Sequence, residues 1–169
     1  MAKVAVLVEA LYQDMEVWYP YLRLQEAGHE AIAAGCGESS YVGKYGYPIR
    51  VDEQCSDLDA ADLAGVIIPG GWAPDRIRLH APALELVGAL NASGKVVAAI
   101  CHAGWVLASA GICRDRELTS YVAIKDDLVN AGARWVDREV VRDGNLITSR
   151  TPADLPAFMQ TVLAALQET

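Results

Sequence analysis

Three short segments are apolar almost without interruption: residues 4–8 (VAVLV), Gly65–Ile68 (GVII) and residues 95–100 (KVVAAI). Runs of this length with no polar alternation are what strands buried on both faces look like. Burial on both faces demands helices above and below the sheet, and the intervening segments supply them. Met15, Trp18, Tyr19, Leu22, Leu24 and Ala27 follow helical spacing, closed by Gly28 as a C-cap. Pro20 predicts that this helix begins or bends there. Residues 30–34 read as a strand, and residues 41–52, with Gly43, Gly46 and Pro48 among aromatics, as a hairpin or loop excursion. Helices are predicted at residues 75–78, at Ala81–Ala92 with Pro82 near its start, at 102–110 and at 121–131. Short strands follow at 134–136, 140–141 and 146–148, the last two joined by a turn at Asp143-Gly144-Asn145. A final helix is expected from Thr151 as N-cap and Pro152 to about Gln167. The alternation predicts an open α/β sandwich with a mostly parallel sheet, whose ligand crevice lies at the carboxyl ends of the strands.

Length and composition narrow the function classes. A chain of 169 residues is read as one domain over 1–169, and 53% apolar with 21% charged residues argues for a folded core. The net charge of −8 has the wrong sign for a general nucleic-acid binder. No apolar run approaches the ~20 residues of a membrane span, and the N-terminal run, broken by Glu9, does not read as a signal peptide. Cys36, Cys55, Cys101 and Cys113 are scattered with no CxxC pair, so a disulfide framework is not expected and a reducing cytoplasm fits. The three histidines and four cysteines show no metal-ligand spacing, and no GxGxxG or Walker sequence is present; neither metal nor cofactor is expected.

The segment Ala98-Ala99-Ile100-Cys101-His102-Ala103-Gly104 carries the strongest chemical signal. An apolar strand stops at Cys101, a helix begins at once, and small residues stand on both sides. This is the pattern of a nucleophile elbow with Cys in the place usually held by Ser. The helix start would offer free N–H groups that lower the thiol pKa and face a developing oxyanion. The bland alternative is an inert buried cysteine. His102 is a candidate base or orienting partner, or else a residue facing solvent. Pro69-Gly70-Gly71 ends the neighbouring strand, and its amides, with that of Ala103, are candidate oxyanion donors. Glu16, among Met15, Val17 and Trp18, would be desolvated if it points into the crevice, with a raised pKa that suits proton donation. His29 and His80 read as bystanders and Cys113 as structural; Cys36 and Cys55 lie in loop-rich segments open to incidental oxidation.

On these residues the sequence resembles the ThiJ/PfpI family, in the branch of intracellular-protease-like stress proteins of the class I glutamine-amidotransferase-like superfamily. The likeness covers nearly the whole chain. It rests on Asp14-Met15-Glu16 with Tyr19-Pro20, Gly43-Lys44 with Gly46, Pro69-Gly70-Gly71 with Ala73-Pro74-Asp75, Ala99-Ile100-Cys101-His102, and Thr148-Ser149-Arg150-Thr151-Pro152. The resemblance implies a flavodoxin-like three-layer sandwich with Cys101 as nucleophile and His102 as catalytic His. Glu16 would be the carboxylate that hydrogen-bonds the sulfur and stabilises its sulfinate. It also implies a triad acid supplied by a neighbouring subunit, here Asp75 where many relatives carry Glu, and a homo-oligomer, dimer or hexamer. The sequence departs from the family in having Ala103-Gly104 after Cys-His, where Gly-Pro is usual; Trp105 then follows as a candidate pocket wall.

The activities the family implies are glyoxalase or protein deglycase chemistry on small carbonyl compounds and glycated substrates, intracellular cysteine peptidase action on peptides, oxidation sensing, and chaperone action. All but the last use one reactive thiolate. A cysteine at a tight elbow with small neighbours suits a small electrophile, which favours carbonyl chemistry over peptidase action.

Overall fold

Val4, Ala5, Val6, Leu7 and Val8 have no exposed surface, and the strand containing them runs Lys3–Val8 (β1). The computed structural model describes residues 1–168. After β1 come helix α1 (Asp14–Glu26) and strand β2 (Glu30–Gly35). A hairpin follows, β3 (Ser40–Val42) with β4 (Pro48–Arg50), then the two-residue strand β5 (Glu53–Gln54). Next are β6 (Gly65–Ile68), α2 (Ala73–Ile77), α3 (Ala81–Ala92) and β7 (Val96–Ile100). Helix α4 (Gly104–Ser109) leads to β8 (Glu117–Leu118), α5 (Lys125–Asn130) and β9 (Arg134–Trp135). Strands β10 (Val140–Asp143) and β11 (Leu146–Ser149) precede the last helix, α6 (Leu155–Gln167).

The main sheet has seven strands in the order β10-β11-β7-β6-β1-β2-β5. Every pairing in it is parallel except β10 with β11. Right-handed crossovers put α1 on one face and α3 on the other, because β2 and β6 are laid on opposite sides of β1. Helix α6 joins α1, and α4 joins α3. The result is a three-layer, flavodoxin-like α/β sandwich, as the buried apolar runs predict. The strand order reverses between β1 and β6, so the crevice opens there, at the carboxyl ends of β1, β6 and β7.

Several local expectations need correction. Helix α1 does not begin at Pro20: it starts at Asp14 and runs through the proline, although the ring removes the N–H that the Glu16 carbonyl would otherwise accept. The segment predicted as a helix at 121–131 is a 3₁₀ turn (Val122–Ile124) followed by the short α5. Thr151 is extended and makes no side-chain cap; a 3₁₀ turn at Pro152–Asp154 comes first, and α6 starts at Leu155. The helix predicted at 102–110 likewise opens as a 3₁₀ turn (Cys101–Ala103) before α4. Strands β5 and β8 are too short to show alternation, and the sequence reading misses both. Gly28 does cap α1 as expected, in the left-handed region with its N–H on the Gln25 carbonyl. Among the described residues no helix is long and apolar enough to cross a membrane.

Candidate active site

Ile100 ends β7 in extended backbone, and Cys101 turns sharply to φ 62°. For a residue with a Cβ this left-handed conformation costs roughly 1–3 kcal/mol, held in place by the packing around it. Close packing surrounds the turn. The Tyr121 N–H donates to the Cys101 carbonyl at 3.1 Å. Gly70 lies so close that a Cβ there would stand 2.7 Å from both Cys101 Cβ and Glu16 Oε2. Gly104 lies under α5, where a Cβ would meet Leu128 Cδ1 at 2.8 Å and Ile124 Cδ1 at 3.1 Å. The Gly at 104 therefore fits the close packing of α5, and the departure from the usual Gly-Pro has a structural counterpart.

Glu16 comes from the first turn of α1, just past β1. It has no exposed surface. Its Oε2 accepts the Gly70 N–H at 2.7 Å, and its Oε1 has no partner of regular hydrogen-bond geometry. The Cys101 thiol stands beside this carboxyl and interacts with it. Burial pushes the Glu16 pKa up to about 7, against the pull of the Gly70 amide, Lys44 and Cys101. The expected raised carboxyl is thus present.

The expected depression of the thiol pKa is not. Burial, reinforced by the charge of Glu16, pushes Cys101 up to about 12. The backbone amides of His102 and Gly71 hydrogen-bond the sulfur, and Lys44 adds positive potential, but these are the smaller effects. A helix start lowers a thiol pKa only where the thiol is solvated enough for the amides to dominate; here Cys101 is 9% exposed. The amide roles also differ from expectation. The Gly70 N–H is engaged by Glu16, whereas Gly71 and His102 are the donors to the sulfur; Ala103 is fully buried in the 3₁₀ turn.

His102 Nδ1 lies 3.3 Å from Cys101 Sγ. Its ring stacks on Tyr121 (centroids 4.9 Å apart, 26° between planes) and meets Trp105 edge-on. Trp105 is fixed in turn by its Nε1–H donating to Asp127 Oδ2 at 2.8 Å. Burial and then Lys44 lower the His102 pKa, which favours the neutral imidazole. Cys101, His102 and Glu16 open onto one cavity of about 470 Å³, with Trp72, Trp105 and Tyr121 as its aromatic walls. Asp75, exposed on α2, also borders it, but no hydrogen bond joins Asp75 to His102 within the chain.

Lys44 is one residue that site reasoning from the sequence misses. It reaches the cavity from the β3–β4 hairpin, whose tip is pinned across the top of the fold. Asp14 accepts the N–H groups of Tyr45 at 2.9 Å and Tyr47 at 3.0 Å, and the Lys44 N–H donates to the Tyr12 carbonyl at 2.8 Å. Gly43 packs against the Asp14 carboxylate so closely that a Cβ there would displace it. The signal in the sequence is this glycine beside a lysine in an aromatic hairpin. Trp72 and Tyr121 carried no such signal.

The model of the DJ-1/PfpI family matches residues 2–165. A deglycase of Pyrococcus horikoshii is 43% identical over 165 residues, covering 98% of this chain and 99% of that protein. General stress protein 18 of Bacillus subtilis is 37% identical over 169 residues, 98% of each chain. Among solved structures, a two-domain protein of Anabaena variabilis with DJ-1/ThiJ/PfpI-like and ferritin-like domains superposes with a TM-score of 0.96 at 38% identity. That match covers 99% of this chain and 48% of the two-domain protein, so the chain spans about half its length.

Proposed function

The chain belongs to the DJ-1/PfpI family, and from that membership we propose that it is a cysteine-dependent stress-protection enzyme acting on reactive carbonyls, of the glyoxalase or protein deglycase kind. Relatives named deglycase and general stress protein support the class. The single observation that carries the mechanism is the pairing of a buried carboxyl at pKa about 7 with a thiol held off the sheet at the mouth of an aromatic cavity.

In this reading Glu16 as carboxylate takes the proton of Cys101 as the sulfur attacks an aldehyde carbon. The S–C bond forms, the carbonyl π pair moves to oxygen, and protonation of that oxygen gives a hemithioacetal. Neutral His102, 3.3 Å from the sulfur, then carries a proton from the carbon bearing sulfur to the adjacent one. The thioester that results is hydrolysed by water. Lys44 adds positive potential for the developing oxyanion. Trp72, Trp105 and Tyr121 enclose a small substrate and exclude bulk water. The test is lactate production from methylglyoxal by wild type and Cys101→Ala. Loss of turnover to the uncatalysed background is the expected result; equal yields from the two proteins would refute the proposal.

A second reading rests on Asp75. It is exposed at the rim of the cavity and unbonded to His102 within one chain, the placement required of an acid that serves a partner subunit. In a homo-oligomer it would complete a peptidase triad with Cys101 and His102. Exposed Trp72 and Leu79, on either side of α2, provide the apolar surface such an interface needs.

A further inference from the structure

Cys36 and Cys55 take no part in the Cys101 site. The parallel register of β2 against β5 pairs Ala34 with Glu53 and Gly35 with Gln54, the last residues of the two strands, and Cys36 and Cys55 follow them directly. Neighbouring strands lie about 4.8 Å apart, within the roughly 4.4–6.8 Å between Cα atoms that a disulfide spans. The ends of the two strands are laced together. Gln54 Oε1 accepts the Gly37 N–H at 2.8 Å, and Gln54 Nε2 donates to the Glu38 carbonyl at 3.0 Å. The Cys36 N–H is held by the Tyr41 hydroxyl at 3.2 Å. The two thiols are close enough to interact, and both sulfurs are unbridged. Cys36 is half-buried. Cys55, though buried, borders a second cavity of about 450 Å³, between the 3₁₀ turn Cys55–Asp57 and α3, with Pro82, Glu85 and Leu86 on its far side.

We propose that Cys36 and Cys55 are a second oxidation site, converted by hydroperoxides to an intramolecular disulfide independently of Cys101. A peroxide entering the α3 cavity meets Cys55. The sulfur attacks one peroxide oxygen, the O–O bond breaks, and an alcohol (water, for hydrogen peroxide) departs, leaving Cys55 as a sulfenic acid. The Cys36 sulfur then displaces the hydroxyl, which leaves as water with the Cys36 proton, and the S–S bond forms. Two electrons pass from the two thiols to the peroxide. The neighbouring Cys55 thiol, then burial and the charge of Glu9, hold the Cys36 thiol protonated until that step. The loop so closed contains the β3–β4 hairpin that carries Lys44 into the Cys101 cavity.

Wild type and Cys101→Ser are exposed to hydrogen peroxide, remaining thiols are alkylated, and the digest is mapped without reductant. Both proteins should lose the alkylation of Cys36 and Cys55 together and yield one cross-linked peptide pair that dithiothreitol splits. In Cys55→Ala, Cys36 should remain alkylatable after the same exposure; if that variant does not fold, the wild-type map alone decides. Oxygen added separately to Cys36 and Cys55 with no cross-linked peptide would overturn the proposal, as would both staying fully alkylatable. A cross-link found in wild type but absent from Cys101→Ser would overturn its independence of the elbow cysteine.

Discussion

Replacing Glu16 by Gln isolates the effect of one buried charge. Folding raises the Glu16 pKa from 4.5 to about 7, first through burial, against the opposing Gly70 amide. The folded protein therefore binds this proton more tightly than the unfolded chain. The stabilisation is complete below about pH 4.5 and is lost as pH rises through about 7. The gap between 4.5 and about 7 corresponds to about 3 kcal/mol. Gln keeps an oxygen to accept the Gly70 N–H and carries no charge at any pH. Urea unfolding of both proteins at about pH 4 and about pH 8 measures the effect. The stability of Glu16→Gln relative to wild type should be more favourable at the higher pH by about 3 kcal/mol. Carbonyl turnover should fall by roughly 10²–10⁴, the usual contribution of a positioned base. A stability difference that is the same at both pH values would refute the reasoning, because Glu16 would then titrate as an ordinary carboxyl and could not exchange a proton with Cys101 near neutrality.

Two further substitutions probe the frame around the sulfur. Gly70→Ala places a Cβ 2.7 Å from Cys101 Cβ and Glu16 Oε2; it should cost about 1–3 kcal/mol in urea unfolding and depress methylglyoxal turnover, since the elbow must shift to make room. Asp75→Ala should leave methylglyoxal turnover near wild type and abolish any peptidase activity at an unchanged oligomeric state by size-exclusion chromatography. Retained peptidase activity would remove Asp75 from the triad.

The sandwich was legible in the sequence because its central strands are buried on both faces, and such strands cannot hide their apolar runs. Val4 to Val8 and Ile67 to Ile68 show no exposed surface, so every position had to be apolar. The same logic fails at the edges. Two-residue strands such as Glu53–Gln54 and Glu117–Leu118 have no period to detect. At Pro20 and at Val122–Ile124, tertiary packing decided between helix, bend and 3₁₀ turn. The positions of Cys101, His102 and Glu16 were readable because each follows a strand end at the crevice, where the topology forces them together. Lys44 was not, because it arrives on a hairpin whose docking depends on Asp14 and on the Tyr12 carbonyl. The thiol pKa was beyond the sequence for another reason. It is the balance of desolvation and the Glu16 charge against two amides and a lysine, and the depth of burial that tips it is a property of the packed protein alone.

That balance changes what the elbow accomplishes. A thiol at about pKa 12 is a resting acid, not a standing thiolate, so the helix start does not by itself activate it. Part of its burden is the charge of Glu16, and that part vanishes when the proton crosses from sulfur to carboxyl. In the proposed mechanism the proton passes between the two groups, so the protonation of each sets the charge the other faces. A carboxyl left in water would be protonated only below about pH 4.5 and would be too weak a base to help. Full burial of Glu16 raises its affinity for the proton while the Gly70 amide keeps the carboxylate form attainable. The glycine at 70 serves both ends of this arrangement: its N–H holds Oε2, and its missing Cβ leaves room for Cys101 beside the carboxyl. In the proposed mechanism, reactivity would thus be set by the approach of three backbones, from β1, β6 and β7, at the place in the sheet where the strand order turns back.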